Sequence, residues 1–184
     1  MLNELMDLLL RPTQDGDIRA VTAIYRQAVL FGTASYEIEP PGEQELDRRW
    51  RALLASGHPH IVAVSDGTVL GYAYAGPFRT RPAYRFTVED SVYVAPEAQG
   101  TGVGRALLSS LVATCERCGF RQMIAVIGDG AGHPASVGLH LSAGFRQIGL
   151  IEGSGWKHGR WLDTVLMQRA LGSGATSSPD ELSP

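Results

Sequence analysis

Two stretches of this chain carry residues whose types and spacing could do chemistry. In Gln99-Gly100-Thr101-Gly102-Val103-Gly104-Arg105, glycines at alternate positions run into an apolar stripe at Val103, Ala106, Leu107, Leu111 and Val112, the spacing of one helix face. Without Cβ atoms in the way, the backbone can curl until successive N–H groups converge ahead of that helix. The first amides of a helix have no partners inside it, and the macrodipole adds about half a positive charge there. The turn is therefore a seat for a phosphate or diphosphate, to which Arg105 in the first turn adds a cation. The second stretch, Phe78-Arg79-Thr80-Arg81-Pro82-Ala83-Tyr84-Arg85-Phe86, sets arginines among aromatics. A guanidinium fork there can grip a small anion such as a carboxylate, and solvated surface arginines are the plainer alternative.

The spacing narrows the phosphate ligand. A nucleotide P-loop needs Gly-Lys-Ser/Thr, but Gly104 is followed by Arg105-Ala106, so the lysine and the magnesium-binding hydroxyl are both missing. A dinucleotide fingerprint needs G-x-G-x-x-G, and this run is G-x-G-x-G.

The elements that must position these residues follow from periodicity and turn signals. Leu8 to Leu10 starts a strand, and Asp15-Gly16-Asp17 caps a helix through Ile18, Val21, Ile24, Tyr25 and Ala28. Glu43 to Leu54 carries Leu46, Trp50, Leu53 and Leu54 at helical spacing, and Asp66-Gly67 joins His60–Val64 to Thr68–Ala75 as a hairpin. The run Val88–Val94 is a strand ended by Pro96, and it feeds the glycine turn and its helix. Gln122 to Ile127 reads as a strand and Ala135 to Ser142 as a short helix closed by Gly144. Phe145–Glu152 and Arg160–Arg169 read as two last strands around a Gly-Ser-Gly turn. The order β-α-α-β-β-β-α-β-α-β-β is that of a mixed α/β fold.

With 184 residues and 44% apolar content, residues 1–171 fit a single domain, and 172–184, rich in Gly, Ser, Thr and Pro, read as a disordered tail. A net charge of −3 argues against nucleic acid or an anionic membrane as the main partner. The apolar start, Met1 to Leu10, holds Glu4 and Asp7 and no basic residue before Arg11, so it does not read as a signal peptide, and a soluble cytoplasmic protein is expected. Cys115 and Cys118 share one helix with no second pair to complete a zinc site, and no metal is expected.

The pattern Gln-x-x-Gly-x-Gly at Gln99–Gly104 resembles the acyl-CoA-binding motif of the GNAT N-acetyltransferase superfamily. Further segments are similar to its phosphinothricin and methionine sulfoximine N-acetyltransferase branch: Thr33–Tyr36, Gly71–Pro77, Arg81–Tyr84, Thr87–Val94, Ala125–Ile127, Gly138–His140 and Lys157–Asp163. The resemblance implies a mostly antiparallel mixed sheet of about seven strands flanked by about four helices, acetyl-CoA as cosubstrate and a homodimer. It also implies acetyl transfer to the α-amino group of a small anionic amino-acid analogue. Acetylation of another amine, or acyl-CoA binding without catalysis, stays open. The resemblance departs from the family at His133, where an asparagine that contacts the cofactor is usual.

Acetyl transfer to an amine needs a group to take the amine proton, a donor for the carbonyl oxygen and an acid for the thiolate. The resemblance puts Glu89 at the acetyl end as base, and Val92-Tyr93-Val94 along the pantetheine arm with a backbone N–H near Val94 on the acetyl carbonyl. It puts His140 where many relatives carry a tyrosine acid, with structural histidine as the alternative. Gly100, Thr101, Gly102, Val103, Gly104, Arg105, Gln99, His133 and Ser136 are the remaining cofactor contacts expected, and Tyr36, Arg79, Arg81 and Tyr84 the substrate contacts. Lys157–Asp163 is expected as a substrate-side or dimer loop.

Overall fold

A computed structural model describes residues 7–179. The reading of the first six residues and of the end of the tail lies outside them. Seven strands form one sheet in the order β1-β2-β3-β4-β5-β7-β6: β1 Leu9–Pro12, β2 His60–Ser65, β3 Thr68–Pro77, β4 Thr87–Val94, β5 Gln122–Gly128, β6 Arg146–Lys157 and β7 Arg160–Ala170. Four helices flank it: α1 Ile18–Phe31, α2 Glu43–Ala55, α3 Val103–Arg117 and α4 Pro134–Ser142.

The sheet has two differently covered faces. A Cβ on Gly76 would meet Leu53 of α2, whereas one on Gly71, an odd number of residues away along β3, would meet Leu107 of α3. α1 and α2 therefore lie on one face and α3 on the other, with α4 beside α3, since a Cβ on Gly104 would touch Leu139. Of the apolar stripe of α3, Val103, Leu107, Leu111 and Val112 are buried and Ala106 is half-buried; Leu108 and Cys115, outside the stripe, are buried too, in one core with Val62, Ala73, Val88 and Met123 of the sheet. Asp66 and Gly67, at φ 48° and 75°, make the hairpin turn of β2 and β3.

Every neighbouring pair is antiparallel except β4 and β5. Those two run parallel, and they pair only from Thr87↔Gln122 to Asp90↔Ala125. Beyond that rung β4 stays with β3 through Val94 and β5 stays with β7 through Gly128, so the sheet splits. The β5-facing edge of Ser91–Val94 has no strand partner.

The last hairpin differs from the sequence expectation. Gly153-Ser154-Gly155 is a bulge inside β6, where the register with β7 shifts between Ile151 and Gly155. The turn is His158-Gly159, at φ 50° and 74°, so Lys157–Asp163 forms the end of a β-hairpin rather than a loop. Past β7, the described part of the tail makes turns, and Arg121 donates hydrogen bonds to the carbonyls of Gly174 and Ser177 at 2.9 Å.

Candidate active site

A cleft of about 740 Å³ opens where β4 and β5 part. Its walls are the C-terminal half of α1 with Gly32, the end of β4, the glycine turn and the start of α4. Gly100 and Gly102 adopt φ 76° and 96°, which a side chain would resist, and no atom lies within 4 Å of where their Cβ would be. Among the described residues, no backbone or side-chain acceptor is bonded to the N–H of any residue from Gly100 to Arg105. Gly102, at the N-cap, has no side chain to cap the helix with, and the first amide satisfied is that of Ala106, by Gly102 O at 3.0 Å. Arg105 lines the cleft and forms no ion pair with a described carboxylate. The groove is thus lined at one end by bare amides and a cation, an arrangement that fits the diphosphate of coenzyme A.

The expected cofactor residues collect here. Val92, Tyr93, Val94, Gln99, Gly100, Gly102, Gly104, Arg105, His133 and Ser136 all line the cleft. Thr101 and Val103 do not: the Thr101 hydroxyl closes the turn onto Ala98 O at 2.7 Å, and the Val103 side chain is buried in the core. These two can reach a ligand only through their amides.

Glu89 does not line the cleft; it lies on the rung Glu89↔Ile124, one before the last rung that β4 and β5 share. Its carboxylate makes no hydrogen bond to a described residue. Burial, and then the neighbouring Asp90 charge, raise its pKa above the usual carboxylate value, while Arg79 opposes them. A carboxylate tuned upward in this way suits a base that works near neutral pH.

His140 is buried on the other face, and both ring nitrogens are taken. Nδ1 donates to Ser136 O at 2.7 Å, and Nε2 meets Asp90 Oδ2 at 3.0 Å. Burial pulls its pKa down, but the hydrogen bond and charge of Asp90 and the Ser136 carbonyl win and raise it. The ring bridges α4 to β4 and does not line the cleft.

The four substrate-side residues divide. Arg79, Arg81 and Tyr84 lie on the exposed connection between β3 and β4, where Arg79 stacks on Phe78 at 4.8 Å and Tyr84 packs edge-on against the same ring. Neither arginine pairs with a carboxylate among the described residues. Tyr36 is elsewhere, on the β5–β7 side. Its hydroxyl meets Thr164 Oγ1 at 2.9 Å and donates to Asp163 O at 3.2 Å, and its ring is clamped between Gly128 and Gly155. Sequence reasoning missed the α1 wall, Ile24, Gln27, Ala28 and Phe31, although the 76% exposure of Phe31 is the kind of apolar surface that marks a site. It also missed Asp90, whose partner lies far away in the chain.

The model of the acetyltransferase (GNAT) family matches residues 21–145. The chain belongs to the GNAT family. It is 52% identical to a phosphinothricin N-acetyltransferase of Alcaligenes faecalis over 170 residues, which are 92% of this chain and 86% of that protein. With an L-methionine sulfoximine/L-methionine sulfone acetyltransferase of Salmonella typhimurium it shares 38% identity over 164 residues, 89% of this chain and 95% of that one. Among solved structures, a GNAT superfamily phosphinothricin acetyltransferase from Sinorhizobium meliloti in complex with AcCoA matches with a TM-score of 0.93 and 51% identity, covering 97% of this chain and 96% of that one. The seven-stranded sheet and its four flanking helices thus share the fold of that acetyltransferase.

Proposed function

We propose that this GNAT enzyme transfers the acetyl group of acetyl-CoA to the α-amino group of a small anionic amino-acid analogue of the phosphinothricin or methionine sulfoximine kind. The observation that carries the reading is the row of unbonded amides from Gly100 to Arg105 at the end of a cleft that the sheet itself opens. When bound, the cosubstrate supplies the activated acetyl thioester.

The chain supplies the rest. The 100–105 amides and Arg105 hold the diphosphate, and the free edge of Ser91–Val94 takes the pantetheine arm as an extra strand. Glu89, near the point where β4 and β5 part, accepts the amine proton directly or through a water, and Arg79, Arg81 and Tyr84 grip the substrate anion. Transfer is direct. The thiol of Cys115 is buried in the core and its pKa is pushed up by that burial, which makes it a poor nucleophile. His140 serves as a fixed link between α4 and β4 rather than as the acid, a role favoured by its two occupied nitrogens.

The reading includes a cytoplasmic homodimer. Its support is the edge strand β6, which carries exposed Ile148, Leu150, Ile151 and Trp156, with exposed Trp161 packed on Trp156. An apolar edge of this length needs a cover. The assay that tests the function is thiol release from acetyl-CoA across a panel of phosphinothricin, methionine sulfoximine, methionine sulfone, neutral amino acids and polyamines. Turnover is expected on the first three, and its absence on every anionic amino acid would refute the reading.

A further inference from the structure

A chain of side chains crosses from β7 to the cleft wall. The guanidinium of Arg160 binds both carboxylate oxygens of Asp129, with Nη1 donating to Oδ1 at 3.2 Å and Nη2 to Oδ2. The Thr33 hydroxyl donates to Asp129 Oδ2 at 2.8 Å and lies 2.7 Å from His133 Nε2. The carboxylate's place is built into the backbone. Asp129 sits at φ 51°, a Cβ on Gly132 would collide with Oδ2, and Gly132 N donates to Asp129 O at 2.7 Å.

The direction of each proton follows from donor arithmetic. Arg160 first, against burial and with help from Thr33, holds Asp129 below the usual carboxylate pKa, so it can only accept. The single hydroxyl proton of Thr33 therefore goes to Asp129, and the Thr33 oxygen must accept from His133 Nε2–H. That leaves His133 Nδ1, which has no partner among the described residues, on a ring that lines the cleft. We propose that Thr33, Asp129 and Arg160 are positioning residues that hold His133 with its proton on Nε2, so that Nδ1 accepts a hydrogen bond from a pantetheine amide N–H of acetyl-CoA. The inference rests on the acetyl-CoA reading for its ligand but not for its tautomer.

The test begins with the protein alone. ¹⁵N spectra of histidine-labelled enzyme without cosubstrate are expected to show His133 protonated at Nε2 and bare at Nδ1, with the Nδ1 resonance moving on addition of coenzyme A. Thr33→Val, which keeps shape and loses the hydroxyl, is expected to scramble the tautomer and weaken calorimetric binding of acetyl-CoA by about tenfold, the usual worth of one hydrogen bond. KM should follow, kcat should stay within about twofold, and Thr33→Ser should restore both. A proton on Nδ1 in the free enzyme, or wild-type affinity in Thr33→Val, overturns the proposal. Should Thr33→Val fail to fold, Asp129→Asn with the wild-type spectrum decides the same question. A protein with the expected tautomer and no response to coenzyme A would instead refute the acetyl-CoA reading.

Discussion

Glu89 is half-buried, unbonded and next to a second carboxylate, Asp90, and those facts fix how it should respond to pH and mutation. A base must be deprotonated to work, so kcat/KM should rise with pH through the Glu89 pKa, at a value above that of an ordinary glutamate. Arg79 opposes the upward shift. Arg79→Ala should therefore move that acid limb to higher pH, and a pH–rate profile measured on both proteins checks it. Glu89→Gln should lower kcat by about 100-fold or more while calorimetric affinity for acetyl-CoA holds. Glu89 was singled out by resemblance to the family, since strand composition alone does not separate it from the adjacent Asp90. The His140–Asp90 bridge was not legible, because nothing local in Gly138-Leu139-His140 tells a bonded ring from a reactive one. The deciding partner comes from another strand.

The elements meet at contacts where no side chain is allowed, and these give sharp predictions. A Cβ on Gly155 would lie 2.6 Å from the Tyr36 ring, and one on Gly128 would lie 2.7 Å from both that ring and the Thr33 carbonyl. Gly155→Ala should cost about 1–3 kcal/mol through overpacking, and Tyr36→Ala should relieve much of it. Gly128→Ala should not be relieved, because the backbone clash remains. Chemical denaturation of the single and double variants measures both. Two histidines should mark separate pH windows. The folded-state pKa of His140 is raised, so its stabilisation is complete below about pH 6.5 and fades as pH rises through the folded value. Burial lowers His60 to about 4, so the folded state loses ground as pH falls from about 6.5 to that value. Stability against pH should flatten on the alkaline side in His140→Gln and on the acid side in His60→Gln. Most elements were readable from period and caps. The last hairpin was not, since Gly153-Ser154-Gly155 has the composition of a turn, yet Tyr36, from a distant loop, requires the small residue there.

Across the whole molecule, one parallel pair in an otherwise antiparallel sheet makes the site. Strands β4 and β5 share four rungs and separate, and the glycine turn that follows β4 lies beside the gap. The order of elements was legible, but not the point of separation, because it depends on pairing lengths that no single strand encodes. The β6 edge gives the assembly prediction. Trp156→Glu with Trp161→Glu should leave a monomer in sedimentation where the parent is a dimer, and a monomeric parent would refute the homodimer. The central claim is that bare amides at residues 100–105 hold the diphosphate of coenzyme A. Amide chemical shifts of the ¹⁵N-labelled protein, titrated in parallel with coenzyme A and with pantetheine, test it most directly. Coenzyme A should move the resonances of Gly100 through Arg105 strongly downfield, and pantetheine, which lacks the diphosphate, should leave them in place. Binding of coenzyme A with those resonances unmoved, or equal shifts from pantetheine, would contradict the account.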